Sequence, residues 1–295
     1  MSSLKDRSPR WVKDAANSVT RFYGVRTAHR RHLPDFLVIG TKRGGSTSMW
    51  NYLVQHPLVM PMFPASRGLK SPWYFYAHYA KGDTWYRSHF ATEARLDRLA
   101  ERLGHRPLTG EACPYYMYDP RIPARVAGRM PEAKIIVLLR DPVKRAYSHY
   151  WEAVGKGVET LPFEDALAAE DDRLAGEVER MAADPLYYSR AHDFFSYRDR
   201  GVYAPQLERW FEVFPRERFL IMSAETLYRD EQAGLDRATD FLGLPRHRMR
   251  TPERHNHLPA PPMDEETRQR LTDFYRSANR DLYALLGEDL GWPSL

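Results

Sequence analysis

The apolar residues of this chain fall into short runs that alternate with longer amphipathic stretches. The runs predict buried β-strands at 36–40, 134–139 and 218–222, with a weaker one at 108–111. Amphipathic spacing predicts helices at 46–55, 91–103, 142–154, 163–182, 203–214, 231–242 and 265–286. Strands that alternate with helices, with no linker between them, predict one α/β domain. Its central, mainly parallel sheet is flanked by helices.

Composition narrows the class of protein. The 295 residues are 43% hydrophobic and 28% charged, as is ordinary for a soluble globular chain. No apolar stretch approaches the roughly 20 residues of a membrane span, and the first residues lack the apolar region of a secretory signal. Cys113 is the only cysteine, which excludes an internal disulfide and a cysteine-based zinc cluster. We therefore expect a cytoplasmic protein without a membrane span.

The net charge of +5 is unevenly distributed. Residues 1–33 contain eight Lys or Arg against two Asp, so they carry +6 and leave −1 for the rest of the chain. We interpret 1–33 as a basic N-terminal arm and 34–295 as the domain. A solvated extension is the simplest interpretation of such a terminus, and a nucleic-acid or membrane-surface arm is the alternative.

A polar, glycine-containing loop at 41–45 separates the first strand from the first helix. A loop in this position binds phosphate, because backbone N–H groups and the helix N-terminus face the ligand and glycines allow close approach. The spacing of Gly40 and Gly45 fits a nucleotide-binding P-loop, but Ser46 follows where that motif requires lysine. An ordinary βα turn with a basic pair on the surface is the structural alternative.

A second strand-to-helix junction carries the sequence RDPVKRAYS at 140–148. Asp141 followed by Pro142 is typical of a helix start. Arg140 at the strand end and Ser148 two turns into the helix can converge on one anionic group. An N-capped helix with a salt-bridged arginine is the alternative. Two such anion sites in one α/β domain indicate a ligand with phosphates at two ends.

These motifs resemble those of the sulfotransferases that use 3′-phosphoadenosine 5′-phosphosulfate (PAPS), and the chain is most similar to bacterial members near the heparan sulfate branch. The segment FLVIGTKRGGSTS at 36–48 resembles the family's 5′-phosphosulfate loop, and 140–148 resembles its 3′-phosphate motif. Supporting similarity lies at 70–75, 110–115, 201–210, 241–244 and 286–292. The resemblance implies a P-loop-like sulfotransferase fold. It implies PAPS-binding roles for Lys42, Arg43, Gly44, Gly45, Ser46, Thr47, Ser48, Arg140 and Ser148.

The resemblance also implies a reaction. A sulfuryl group moves from PAPS to an acceptor hydroxyl or amine, adenosine 3′,5′-bisphosphate is released, and no metal is needed. Lys42 and Arg43 are expected to stabilise the developing charge, although their order is the reverse of the family's usual order. Arginine is a poor proton donor, so Lys42 is the candidate for that part. Lys70 is expected to bind the acceptor or to contact the sulfuryl group, and a solvated surface lysine is the alternative.

The catalytic base departs from the family pattern. Heparan-type members have a Glu where this chain has Ser71, and a serine is no general base at neutral pH. Glu111, predicted at a strand end, is the favoured replacement, with a structural ion pair as the alternative for it. The other candidates are His78, His89, His192 and Asp193. A water-mediated base, or an acceptor that needs little activation, is also open.

The acceptor side is the least recognisable part of the sequence. Aromatic residues are dense at 73–90, where sugar rings, phenols or lipid cores would bind, and core packing is the alternative. We interpret 158–200 as a variable acceptor-side segment. Arg254, His255 and Asn256 lie in a Pro-rich loop, for which a plain surface loop and a loop that closes over the nucleotide are both open. A small molecule, a glycolipid and a carbohydrate all remain open as acceptors. No nucleic-acid partner is expected, and the oligomeric state is left open.

Two other function classes compete with the sulfotransferase. A P-loop nucleotide kinase is disfavoured by Ser46 and by Arg140, which stands where a metal-binding carboxylate would follow the strand. A non-catalytic nucleotide-binding relative is suggested by Ser71. The identity of the bound nucleotide distinguishes the sulfotransferase from the kinase. Measured turnover distinguishes the sulfotransferase from the non-catalytic relative.

Overall fold

The computed structural model describes residues 10–250 and 260–292, with side chains from residue 18 onward. Its strands are β1 (Phe36–Val38), β2 (Val59–Met60), β3 (Leu108–Ala112), β4 (Lys134–Leu139) and β5 (Phe219–Ser223). All pair in parallel, in the order β2-β3-β1-β4-β5. The predicted α/β domain with a central parallel sheet is confirmed.

Helices surround this sheet. In chain order they are α1 (Arg10–Arg26), α2 (Ser46–Leu53), α3 (Tyr74–Ala77), α4 (Gly82–Arg87), α5 (Glu93–Leu103), α6 (Ile122–Ala127), α7 (Pro142–Gly155), α8 (Phe163–Ala168), α9 (Glu170–Leu174), α10 (Glu177–Ala183), α11 (Arg190–Phe194), α12 (Ala204–Phe211), α13 (Ala224–Arg229), α14 (Glu231–Leu242) and α15 (Glu265–Leu286). No helix in the described ranges has the length and apolar content that a membrane crossing requires.

Strands β1 and β4 form the centre of the core. Every residue of β1 and residues 135–139 of β4 are fully buried, because helices cover both faces of the sheet. Double burial explains why these strands are continuous apolar runs rather than alternating ones. It also brings the loops that follow β1 and β4 to the same edge of the sheet.

Two helix predictions have different outcomes. Asp141 caps α7 as expected, since its carboxylate accepts hydrogen bonds from the N–H groups of Val143 and Lys144 at 2.9 and 3.3 Å. The single helix predicted at 163–182 is wrong, because the structure has α8, α9 and the start of α10 there. Gly176, with a left-handed φ of 73°, separates α9 from α10. The spacing of the apolar residues gave no indication of the break at Gly176.

The described part of the predicted arm packs on the domain. Arg31 is 2% exposed, donates a hydrogen bond to the Phe90 carbonyl oxygen over 2.5 Å and lies 4.2 Å from the centre of the Phe63 ring. Residues 1–9 lie outside the described residues. The division at residue 34 stays a prediction.

Candidate active site

A cavity of about 780 Å³ opens where β1 and β4 end. It is lined by residues from both predicted phosphate motifs and by Lys70. The predicted site residues that line it are Lys42, Arg43, Gly45, Ser46, Thr47, Ser48, Lys70, Arg140 and Ser148. Gly44 lies behind the loop, where a Cβ atom would be 2.8 Å from the Leu138 carbonyl oxygen. The fold therefore brings together two motifs about 100 residues apart in sequence.

The loop between β1 and α2 has the shape of an anion cradle. Arg43 and Gly45 have left-handed φ values of 70° and 95°, and the Gly44 N–H donates to the Thr41 carbonyl oxygen over 2.8 Å. Helix α2 then begins at Ser46 with no side-chain cap. Uncapped N–H groups at a helix N-terminus attract negative charge. The cavity-lining end of α2 is thus built to hold an anionic group.

Hydrogen bonds join the two motifs. Arg43 donates from Nε to the Ser148 hydroxyl over 3.0 Å, and Arg140 donates from Nη1 to the Arg43 carbonyl oxygen over 3.0 Å. Arg140 is itself held from behind, because its carbonyl oxygen accepts a hydrogen bond from Tyr203. Positive charge and hydroxyl groups therefore form one connected wall of the cavity.

Lys42 connects the phosphate loop to the predicted variable segment. Its Nζ atom donates to the carbonyl oxygen of Asp193 over 3.0 Å, lies 3.4 Å from that residue's carboxylate, and sits 4.8 Å from the centre of the Phe194 ring. Burial lowers the pKa of Lys42 to about 8, against the opposing effect of Asp193. Lys42 is therefore a cation that loses its proton more readily than a surface lysine.

Lys70 reaches the phosphate loop from the other side. Its Nζ atom donates to the Thr47 hydroxyl over 2.7 Å, and burial lowers its pKa. The lysine thus lies at the loop, as expected for a group that contacts the transferring sulfuryl oxygens. Its role stays a prediction.

Glu111 is not among the residues that line the cavity. The carboxylate is fully buried and accepts hydrogen bonds from Ser71 at 2.8 Å, Tyr86 at 2.6 Å and Tyr116 at 3.3 Å. Burial raises the pKa of Glu111 to about 7, against the effect of these hydroxyl donors. The sequence singled out Glu111 from its place at a predicted strand end, and the structure places it in β3 with its carboxylate next to Ser71. Its role as the base stays a prediction.

The other base candidates are also held away from the cavity wall. His78 donates from Nδ1 to the Pro72 carbonyl oxygen over 2.8 Å, and His89 from Nδ1 to the Trp85 carbonyl oxygen over 2.9 Å. His192 is buried against the Tyr115 hydroxyl at 2.7 Å. Burial lowers the pKa of His89 to about 3 and that of His192 well below its usual value. Arg254, His255 and Asn256 lie outside the described residues.

Sequence reasoning missed Glu152, which lines the cavity. One carboxylate oxygen accepts a hydrogen bond from Lys156 over 2.6 Å, and the other is 4.0 Å from Arg43 Nη1. That second oxygen is buried and has no hydrogen-bond donor among the described residues. Burial acts to raise the pKa of Glu152, but Lys42, Lys156 and Arg43 outweigh it and lower the pKa. The helical spacing of Ser148 and Glu152, four residues apart, was the available signal.

The remaining acidic residues of the cavity have structural partners. Asp141 caps α7, and Glu225 accepts hydrogen bonds from the Asp141 N–H at 3.2 Å and from the Trp292 indole at 3.2 Å. Within the described ranges, no three His, Cys, Asp or Glu side chains are grouped to hold a metal ion.

Comparisons with known proteins agree with this geometry. Residues 33–273 match the family model described as "Sulfotransferase domain". Heparan sulfate glucosamine 3-O-sulfotransferase 6 of Mus musculus is 31% identical over 288 residues, which cover 89% of this chain and 75% of that protein. Heparan sulfate glucosamine 3-O-sulfotransferase 3B1 of Homo sapiens is 28% identical and covers 99% of this chain and 72% of that protein. The crystal structure of a sulfotransferase from Alicyclobacillus acidocaldarius has a TM-score of 0.63 at 28% identity, over 88% of this chain and 98% of that chain.

Proposed function

The chain belongs to the sulfotransferase family and transfers a sulfuryl group to a carbohydrate or small-molecule acceptor, and on that premise we propose that its donor is PAPS. The observation that carries the proposal is the hydrogen-bonded wall of Arg43, Ser148 and Arg140, which offers cations and hydroxyls to a ligand with two anionic ends. The family match favours this activity over the nucleotide-kinase alternative.

In the proposed arrangement, the two motifs bind opposite ends of the donor. The N-terminus of α2, with Ser46, Thr47 and Ser48, holds the 5′-phosphosulfate. Arg140 and Ser148 hold the 3′-phosphate, because a guanidinium fork and a hydroxyl match phosphate oxygens. When bound, PAPS supplies the activated sulfuryl group and a bisphosphate leaving group.

The charged side chains have separate tasks in the proposed reaction. Lys42 and Arg43 stabilise the negative charge that develops on the leaving phosphate oxygen. Lys70, fixed on Thr47, donates to the sulfuryl oxygens. These cations stabilise negative charge and do not accept a proton. The proton that the acceptor hydroxyl loses must therefore go to another group, and carboxylates can accept it.

Two carboxylates compete for the role of proton acceptor. Glu111 has a pKa near 7 but is enclosed by three hydroxyl donors. Glu152 has the lower pKa, yet it lines the cavity, whereas Glu111 does not. Because a general base must reach its proton, we favour Glu152 and retain Glu111 as the alternative.

A saccharide hydroxyl is the proposed acceptor. The relatives above are named as heparan sulfate glucosamine 3-O-sulfotransferases, which supports a saccharide acceptor. The aromatic side chains at 73–90 add no support, because most of them pack in the core. Glucosamine-containing oligosaccharides are therefore the first compounds to screen, followed by glycolipids and phenols. We also propose a cytoplasmic location for the protein.

Isothermal titration tests the donor. Wild type is expected to bind adenosine 3′,5′-bisphosphate without metal, and more tightly than ATP with magnesium. Arg140→Ala should lose that binding, while the exposed-arginine control Arg246→Ala retains it. Preference for magnesium ATP, or bisphosphate binding that survives Arg140→Ala, would contradict the proposed donor and site.

A further inference from the structure

In the part of α1 whose side chains are described, a glycine and an arginine contact the domain. A Cβ atom on Gly24 would lie 2.9 Å from the Ser88 carbonyl oxygen, so only glycine allows this approach. Beside it, Arg21 donates to the Ser88 hydroxyl over 2.7 Å and to the Phe63 carbonyl oxygen over 3.3 Å. A surface helix usually turns its apolar stripe toward the core. Arg21 and Gly24 instead attach the described part of α1 through a polar and a small residue.

Three apolar side chains in the described part of α1 are largely exposed to solvent. Val19, Phe22 and Tyr23 are 68%, 62% and 54% exposed. Their spacing of three and four residues places them on one side of the helix. Val19 and Phe22 are the two most exposed of the large hydrophobic residues in the described part of the chain. An exposed cluster of apolar side chains of this kind marks a surface that contacts another protein or a membrane.

Arginines surround this apolar cluster. The Arg26 guanidinium lies 4.8 Å from the centre of the Phe22 ring. Arg21 and Arg67 line a groove of about 460 Å³ together with Phe22 and Trp85. Among the described residues, Arg21, Arg26 and Arg67 take part in none of the ion pairs. Burial, and then repulsion from Arg67 and Arg31, lowers the pKa of Arg21 to about 10. Among the described side chains, no carboxylate pairs with these three arginines.

We propose that this surface, the α1 face formed by Val19, Phe22, Tyr23, Arg26 and the adjoining groove, docks on an anionic lipid bilayer. The apolar side chains enter the boundary between headgroups and acyl chains, and the arginines contact lipid phosphates and carboxylates. The basic excess of residues 1–33 adds long-range attraction of the chain to an anionic bilayer. None of the groove residues lines the catalytic cavity, so docking does not use the residues of that site.

Charge selects the bilayer over the other occupants. In a symmetric dimer the α1 faces of two copies would meet, and the unpaired arginines of one would oppose those of the other. A nucleic acid would match the arginines but would leave Val19 and Phe22 without an apolar partner. An anionic bilayer matches both parts of the surface.

Vesicle co-sedimentation of the full chain tests the proposal. Wild type should bind vesicles of equal parts phosphatidylcholine and phosphatidylserine, and not vesicles of phosphatidylcholine alone. The double variant Val19→Ser with Phe22→Ser should bind at least about tenfold more weakly, because it loses its apolar insertion. Arg26→Ala and Arg67→Ala should each weaken binding about fivefold, the share of one surface charge.

The matched control is Val178→Ser with Leu186→Ser, which removes comparable exposed apolar side chains elsewhere. It should bind like wild type. Absence of wild-type binding to anionic vesicles, equal binding to both vesicle types, or equal losses in the two double variants would overturn the proposal. A dimer in sedimentation velocity that the α1 double variant dissociates would also overturn it. If that variant melts early, the exposed arginine variants carry the test.

Discussion

The Nε atom of Arg43 donates a hydrogen bond to the hydroxyl of Ser148 over 3.0 Å. This contact joins the loop after β1 to helix α7, and Arg140 closes the connection by donating to the Arg43 carbonyl oxygen. The two ends of the proposed nucleotide site are thus parts of one hydrogen-bonded unit. Changes at one end are expected to be felt at the other.

Replacing Ser148 by Ala tests that unit. The variant loses a hydroxyl for the 3′-phosphate and the partner that orients Arg43, so bisphosphate affinity should fall about tenfold to hundredfold, as for a hydrogen bond to a charged group. Isothermal titration measures the loss, and the exposed Ser66→Ala is the control. In a double-mutant cycle with Arg43→Ala, strict additivity would contradict the coupling.

Lys42 should make bisphosphate binding depend on pH. Its pKa of about 8 lies below the ordinary 10.5, so the free protein loses this proton as the pH rises above 8. A bound anion favours the charged lysine, so affinity should be highest below about pH 7 and should weaken as the pH rises through 8, with proton uptake on binding.

Titrations in buffers of different ionisation enthalpy measure this proton uptake. Lys42→Met should bind more weakly at pH 7 and show less of the decline above pH 8. Lys70, whose pKa is also lowered, accounts for a remaining decline, which Lys70→Met tests separately. An unchanged pH profile in Lys42→Met would rule out contact between Lys42 and the ligand.

The sequence predicted those parts of the fold and site that depend on local pattern. Apolar runs located the strands, and Asp141 before Pro142 located the start of α7. Parallel strands then forced the two motifs to one edge. Prediction from the sequence failed where contacts between distant parts of the chain determine the structure. The break at Gly176 and the donor-free oxygen of Glu152 each depend on contacts that the local pattern does not contain.

The two carboxylates near the cavity should respond differently to neutralisation. Glu152→Gln should lower turnover about 10² to 10⁴-fold, the usual contribution of a general base, while bisphosphate affinity changes little. Glu111→Gln should leave turnover within a few-fold of wild type. The measurement is sulfuryl transfer from PAPS to the best acceptor of the saccharide screen. A large loss in Glu111→Gln with an active Glu152→Gln would assign the base to Glu111.

Glu111 should instead affect the pH dependence of stability. Its pKa is about 7 in the folded protein against the ordinary 4.5, so the native state retains a proton that the unfolded chain releases. Stability from this group is therefore full below pH 4.5 and falls as the pH rises to 7, by at most about 3 kcal/mol.

Urea unfolding of Glu111→Gln across this window tests the sign. The free energy of unfolding of the variant, relative to wild type, should increase from pH 5 to pH 8. Glu170, whose pKa is also about 7, leaves part of the slope in place. The exposed Glu132→Gln should follow wild type. A difference that stays constant with pH would show that Glu111 is not protonated in the folded state.

Gly40, directly before the phosphate loop, should be the most sensitive glycine in the segment from β1 to α2. A Cβ atom there would lie 1.9 Å from the backbone nitrogen of Leu138 in β4, and a backbone atom cannot move aside as a flexible side chain does. Gly40→Ala should therefore separate β1 from β4 and cost several kcal/mol, in the range of the most damaging core substitutions. It should also displace the loop that begins at Thr41, so bisphosphate binding is lost together with stability.

Gly155→Ala, at the end of α7 with open space around it, is the matched control, and should be neutral or stabilise by up to about 1 kcal/mol. Thermal melting and bisphosphate titration of both variants measure the contrast. A Gly40→Ala protein that melts like wild type would contradict the close contact between β1 and β4.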